Sequence, residues 1–156
     1  MSRQAKLAAL VSLLGLGAVA TVAATSAGSA VFHERKEVAG LAVVFGAEPE
    51  PALTEEMQFL RWRVSALDNQ QPYEQMTAAE VTVTRNGEPF GPFPVRPVRG
   101  TPGLYQTRHI FTEAGEYESV LTFKKGEVEE VHTVDFVFRI GDRADMEIPR
   151  RRGGGD

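Results

Sequence analysis

Short segments in which apolar and polar residues alternate dominate the chain after its first thirty residues. In MQFLRWRVSAL, Leu60, Trp62 and Val64 fall on one face, while Arg61 and Arg63 fall on the other. This period of two is typical of a β-strand that buries one side. The segment EVHTVDFVFRI, which ends at residue 140, repeats the pattern with valines, phenylalanines and an isoleucine on its apolar face.

Turn signals separate these segments at intervals of about ten residues, as in small sandwich domains. Asn86-Gly87 is the strongest hairpin signal, and the four prolines of GPFPVRPVRGTPG allow only an edge strand or an extended connection there. No segment after the leader keeps a helical period. We therefore predict an all-β fold, an antiparallel immunoglobulin-like β-sandwich of about seven strands over residues 40–142, with a small β-barrel as the alternative.

The pattern Gly-x-Tyr occurs twice in TPGLYQTRHIFTEAGEYESVLTF, at Gly103–Tyr105 and at Gly115–Tyr117. Glycine in a turn accepts positive φ at little cost. A tyrosine two residues later can bury its ring and direct its hydroxyl to loop backbone, as a tyrosine corner does. The repeat therefore predicts packing and not chemistry, with the two units as the two arms of one hairpin.

The amino terminus has the pattern of an export signal. Arg3 and Lys6 precede a run from Leu7 to Phe32 that contains no charged residue and becomes rich in small residues towards Ala30. A basic start, an apolar centre and a small-residue end predict a signal peptide over residues 1–30, cut after Ala30. Since about 20 apolar residues span a bilayer, an uncleaved N-terminal anchor helix is the alternative. Both place the rest outside the cytoplasm, in the periplasm or at the cell surface.

Composition narrows the classes of partner. The chain carries 17 Lys and Arg against 21 Asp and Glu, and it has no cysteine. The leader holds two of the bases and no acid, and PRRRGGGD at the end holds three arginines, so the body between them is more acidic still. This balance argues against nucleic acid as a partner. We expect residues 31–39 to be a linker and residues 143–156 to be a flexible, basic and glycine-rich tail.

The segment from LAVVFGAEPEP to FVFRIGD resembles the YtkA-like and related immunoglobulin-like domains of exported bacterial proteins. The residues that carry the resemblance are Pro102, Gly103, Tyr105, Phe111, Gly115, Tyr117, Phe123 and the alternating strand 134–140. The resemblance implies an exported or membrane-tethered β-sandwich with no established activity. It brings no catalytic residues to this sequence.

The histidines give no sign of an enzyme. There are three, His33, His109 and His132, and none lies in a glycine elbow or another recognisable nucleophile setting. His109 shares the face of Tyr105 and Phe111, so we expect it to be a half-buried packing residue. We predict a protein that is not an enzyme and has no cofactor.

The alternative to a protein without a cofactor is one that binds copper, because histidine and methionine are the ligands of copper when cysteine is absent. His132 begins the last strand on its apolar face, near an end of the sandwich where a site could be open. If cleavage follows Ala30, His33 becomes the third residue of the mature chain. The terminal amine, two amide nitrogens and the imidazole could then hold Cu(II) in a square plane.

A binding surface is the other candidate. Tyr73 is an aromatic residue in the polar loop DNQQPYEQM, and Phe90 and Phe93 lie in the proline-rich segment. Loops at the end of a sandwich often carry such surfaces; the alternative is that the two phenylalanines cap the core. We predict an exported, non-enzymatic binding or accessory module of the cell envelope, with another envelope protein as the candidate partner and the ligand open. A metal-handling protein and a structural envelope domain are the alternatives.

Overall fold

The computed structural model describes residues 34–146, and nine β-strands with one short 3-10 helix make up its regular structure. The strands are β1 (Glu34–Val38), β2 (Leu41–Glu48), β3 (Met57–Ala66), β4 (Met76–Arg85), β5 (Glu88–Pro94), β6 (Arg96–Pro97), β7 (Leu104–Ile110), β8 (Gly115–Lys125) and β9 (Val131–Ile140). The predicted leader and most of the predicted tail lie outside the described residues. Within residues 34–146, no helix is long and apolar enough to cross a membrane.

The strands form two antiparallel sheets. The five-stranded sheet has the order β1-β2-β3-β7-β6, and the four-stranded sheet has the order β5-β4-β8-β9. The all-β prediction is therefore confirmed, with nine strands in place of about seven. Because the two sheets are separate, the barrel alternative does not apply. The proline-rich segment supplies β5 and β6, and both are edge strands, as expected for strands that lack N–H donors.

The prediction of a linker over residues 31–39 is wrong for residues 34–38, which form the edge strand β1 paired with β2. An edge strand can carry charge at nearly every position, so ERKEV has no apolar face that would have marked it. Lys36 points towards the sandwich interior, and its Nζ donates to Asp135 of β9 over 2.9 Å. This hydrogen bond raises the pKa of Lys36 and lowers that of Asp135. It joins the edges of the two sheets on this side.

One core lies between the sheets. The ring of Phe45 from β2 is 5.2 Å from that of Phe136 from β9 and 5.5 Å from that of Trp62. The largest fully buried side chains come from both sheets and are Trp62, Tyr105, Phe45, Phe123, Phe136, Leu41, Leu60, Leu121 and Ile140. The face of β3 that the alternation marked as apolar is the buried one, so the strand phase predicted from the sequence is confirmed.

The two Gly-x-Tyr units pack as predicted, but they do not form the predicted hairpin. Both tyrosines are buried. The Tyr117 hydroxyl donates to the carbonyl of Glu113 over 2.8 Å, four residues earlier, as in a tyrosine corner. The two units are not arms of one hairpin, because β7 belongs to the five-stranded sheet and β8 to the four-stranded sheet. Packed sheets are about 10 Å apart, which a connection of four residues can span.

Gly103 lies where two backbone segments almost touch. Its φ is +71°, and a Cβ built there would be 2.6 Å from the carbonyl oxygen of Val64 and 2.9 Å from Cβ of Pro72. Its own carbonyl accepts from the Val64 N–H over 2.7 Å. Two residues later, the Tyr105 hydroxyl donates to the Tyr73 carbonyl over 3.0 Å and accepts from the Met76 N–H over 3.2 Å. Glycine is therefore needed for both conformation and space.

We expect Trp62→Ala to lower the free energy of unfolding by about 3–5 kcal/mol, the usual cost of truncating a buried aromatic residue. Trp62 is fully buried between the sheets. Val137→Ala on the exposed face of β9 serves as the control and should be nearly neutral. Urea denaturation measures both, and a loss under about 1 kcal/mol at Trp62 would contradict its place in the core.

We expect Gly103→Ala to be clearly more destabilising than Gly100→Ala. Both glycines have positive φ, which costs an L-residue about 1–2 kcal/mol. Only Gly103 would also bring its Cβ against backbone, since Gly100 has open space around it; overpacking of this kind adds about 1–3 kcal/mol. Equal unfolding midpoints in urea for the two variants would contradict the close approach at Gly103.

Candidate functional site

One side of the sandwich is open because its edge strands do not match in length. β6 pairs only with Gln106 and Tyr105 of β7. Among the described strands, none pairs with Thr107–Ile110 on that side of β7. β5, the edge strand of the four-stranded sheet, faces this stretch, since the ring of Phe93 in β5 is 4.2 Å from the ring of His109 in β7. The opening exposes side chains that would otherwise belong to the core.

A groove of about 310 Å³ lies in this opening. We call it the aromatic groove. Its lining has six aromatic or apolar side chains, Val83, Phe90, Phe93, Ile110, Phe111 and Tyr117, and six polar or charged ones, Arg85, Asn86, Glu88, His109, Thr112 and Glu113. Small-molecule pockets start at about this volume.

The hairpin at Asn86-Gly87 positions the two phenylalanines. It pairs Phe90 with Val83 and Phe93 with Val81, so both rings lie on the core-facing side of β5. A bulge between these two pairs and Gly91, at φ +108°, bend the strand. Phe93 packs partly against the core, while Phe90 remains 43% exposed at the mouth of the groove.

His109 forms the wall opposite Phe93. Its ring centroid is 4.2 Å from that of Phe93 and 6.2 Å from that of Phe111. Its Nε2 is 3.2 Å from Oγ1 of Thr107, the one polar contact of the ring among the described residues. Burial lowers the pKa of His109, because the apolar surroundings disfavour the charged imidazolium. The predicted packing role of His109 is confirmed. The same side chain also lines the aromatic groove.

Polar and ionic contacts of Arg85 stabilise the rim of the aromatic groove. Arg85 forms an ion pair with Glu113 and donates from Nη2 to the Ala114 carbonyl over 2.9 Å. Its guanidinium carbon lies 5.8 Å from the centroid of the Tyr117 ring. Burial raises the pKa of Tyr117, so its hydroxyl stays a neutral donor to the Glu113 carbonyl. These contacts fix the connection between β7 and β8 that closes one end of the groove.

The predicted binding surface is only partly assembled. Phe90 and Phe93 both line the aromatic groove. Tyr73 does not, because it precedes β4 at the opposite end of that strand, partly buried against the core, with Nζ of Lys125 5.9 Å above its ring. Its carbonyl accepts the hydrogen bond from Tyr105, so Tyr73 has a structural role there.

Of the two histidines suggested as copper ligands, His132 lies among the described residues. His132 lies partly buried in β9 beside Phe123, and its nearest carboxylate oxygen belongs to Glu130, 3.8 Å from Nδ1. Within residues 34–146, no group of three or more His, Asp or Glu side chains is arranged to hold a metal ion. His33 lies outside the described residues, so the site at a mature amino terminus stays a prediction.

Of the twelve residues that line the aromatic groove, Phe90 and Phe93 were foreseen as site residues and the other ten were not. Ile110 is 57% exposed beside the opening, and Phe111 is buried at its base. The Asn86-Gly87 signal contained part of the information, since a two-residue hairpin at that point already places Phe90 opposite Val83. No local sequence pattern indicates that β7 lies opposite β5.

Comparisons of this chain with protein-family models, with curated proteins and with solved structures found no match.

We expect acidification to destabilise the wild-type protein more than a His109→Gln variant. The folded-state pKa of His109 lies below its ordinary value of about 6.5, so the unfolded chain binds a proton more readily. The stabilising contribution is complete above that ordinary value and is lost as the pH falls towards the folded-state pKa. Urea denaturation between neutral and mildly acidic pH measures the difference, and parallel pH curves would contradict the burial of a neutral imidazole.

Proposed function

We propose that this chain is an exported, non-enzymatic, immunoglobulin-like β-sandwich module that binds an extended apolar segment of another envelope protein in the aromatic groove. The observation that carries the proposal is Phe90, an exposed aromatic ring at the mouth of the groove beside the unpaired stretch of β7.

The free edge of β7 supplies backbone partners. Beyond the two residues covered by β6, the β7 stretch Thr107–Ile110 has no neighbouring strand on that side within the described part of the chain. Unpaired N–H and C=O groups of an edge can pair with an added strand. A bound segment in extended conformation would pair with β7 beyond the end of β6 and so extend the five-stranded sheet.

The aromatic groove supplies pockets for alternate side chains. Successive residues of a strand point to opposite sides, so every second side chain of an added segment would face the groove. There it would meet Phe90, Phe93 and His109, whose rings offer apolar area at small entropic cost. The neutral His109 removes a charge that would disfavour an apolar ligand. An apolar, extended ligand fits both features at once.

Export and the finer fold type complete the proposal. The uncharged run from Leu7 to Phe32 supports export as a cleaved or membrane-tethered protein. Two packed antiparallel sheets are the architecture of immunoglobulin-like domains, which agrees with the resemblance to YtkA-like domains. Another envelope protein is then the partner that such a module would meet.

Site-specific photo-crosslinking in living cells tests the binding role. A photoreactive amino acid in place of Phe90 should give a discrete adduct with another protein. The same amino acid in place of Val137 is the matched control, since Val137 is 45% exposed and Phe90 is 43% exposed. Val137 lies on the outer face of the four-stranded sheet, away from the aromatic groove, and should give no such adduct.

A second substitution links the adduct to the groove. Ile110→Ser, at an exposed position of the groove lining, should reduce the adduct at position 90 severalfold with little effect on stability. Adducts of equal yield at positions 90 and 137, or a yield at position 90 that Ile110→Ser leaves unchanged, would contradict a specific site in the groove.

A further inference from the structure

The outer face of the five-stranded sheet carries a concentration of arginine that the overall composition hides. Five arginines point outward from four strands of this sheet, and together they form what we call the arginine face: Arg35, Arg61, Arg63, Arg96 and Arg108. The chain as a whole has a formal net charge of −4. Two carboxylates lie on the same face, Glu37 and Glu48.

Strand register assembles the face from residues far apart in sequence. Val44 of β2 stands between Arg35 of β1 and Arg63 of β3 in one row across the sheet. In the next row, Arg61 lies opposite Gln106, which lies opposite Arg96 of β6. With strands about 4.8 Å apart, the band extends about 19 Å from β1 to β6.

Most of this positive charge is free to act on a partner. Arg35 forms an ion pair with Glu37, and Arg61 forms one with Glu48. Arg63, Arg96 and Arg108 are exposed and form no ion pair with any of residues 34–146. Guanidinium groups bind phosphate in bidentate geometry and hold less tightly to water than an ammonium does.

Apolar side chains are interspersed among the arginines. Val44, Phe59 and Leu104 are partly exposed between them. At one end of the same face, Met57 is paired with Ile110, and these side chains are 42% and 57% exposed. Arginine mixed with exposed apolar side chains suits a surface with charged headgroups above an apolar layer.

The sequence before β1 indicates where such a surface would be. The uncharged run ends at Phe32, and Arg35 follows three residues later as the first member of the arginine face. Three extended residues span about 10 Å, close to the Debye length of about 8 Å at physiological ionic strength. A bilayer that held the uncharged run would therefore lie within electrostatic reach of the face.

We propose that the arginine face docks on the surface of a bilayer that contains anionic phospholipid. The phosphates bind Arg63, Arg96 and Arg108, and Met57 enters the headgroup region. The inference shares the export of the chain with the proposed function, and none of these four residues lines the aromatic groove. Docking would fix which side of the domain faces the membrane.

Depth-dependent fluorescence quenching on the full chain tests the docking. Since the chain has no cysteine, Met57→Cys and Val137→Cys each give one labelling site, on opposite outer faces and with similar exposure. Each labelled chain is reconstituted into vesicles of phosphatidylcholine alone or of phosphatidylcholine mixed with phosphatidylglycerol, both with a quencher-bearing lipid. The N-terminal segment is the same in both vesicles, so a difference reports headgroup charge.

The label at position 57 should be quenched severalfold more in the anionic vesicles than in the neutral ones, and high salt should remove the difference. The label at position 137 should respond equally to both lipids. Equal quenching of position 57 in the two lipids, or equal gains at positions 57 and 137, would overturn the proposal.

A charge-matched pair of variants separates the arginine face from net charge. Arg63→Gln with Arg108→Gln should return the quenching at position 57 to the neutral-vesicle level. Lys124→Gln with Arg139→Gln removes two positive charges from the outer face of the four-stranded sheet and should leave it unchanged. Thermal unfolding checks that both variants fold, and equal losses in the two would overturn a role for this face. If the fluorescence of the label at position 57 does not depend on lipid charge but changes on addition of poly-L-glutamate, the arginine face binds an acidic partner and the membrane proposal is overturned.

Discussion

The hydroxyl of Tyr105 joins the two sheets, and much of the fold depends on this contact. The ring is buried in the five-stranded sheet, while the hydroxyl bonds to the Tyr73 carbonyl and the Met76 N–H at the start of β4 in the other sheet. Buried hydroxyls that are fully hydrogen-bonded are costly to displace. The close approach of Gly103 to Val64 sets the position of this tyrosine. The entry into the four-stranded sheet is therefore fixed by a residue of the five-stranded one.

The sequence identified the strands of the interior more fully than the strands at the edges. The alternation through Trp62 identified a buried face correctly, because a strand covered on one side must repeat apolar residues with a period of two. The edge strands β1 and β6 had no such pattern, since charge and proline are tolerated where a strand has one neighbour. The prediction that β7 and β8 form one hairpin was wrong for a related reason. Two strands close in sequence give no local sign of whether their connection stays in one sheet or crosses to the other.

The same limit applies to the candidate site. Phe90 and Phe93 could be named from their exposed, proline-rich context, and the hairpin signal was enough to place Phe90 opposite Val83. His109 could not be assigned to the same groove, because its approach to Phe93 depends on how two sheets stack and on where β6 ends. The arginines of the five-stranded sheet lie on four strands for a similar reason. Such surfaces are products of register, which a single segment does not reveal.

The tie between Lys36 and Asp135 has a consequence for how many molecules can assemble. It closes the side of the sandwich opposite the aromatic groove, with a charged side chain of the edge strand β1 turned inward across the boundary. A strand added to β1 would have to cover this lysine, and inward-pointing charge on an edge is a known barrier to such pairing. The five-stranded sheet thus has one edge that is open along part of β7 and one edge that is blocked at β1. Strand addition to this sheet is therefore expected to stop after one ligand segment for each chain.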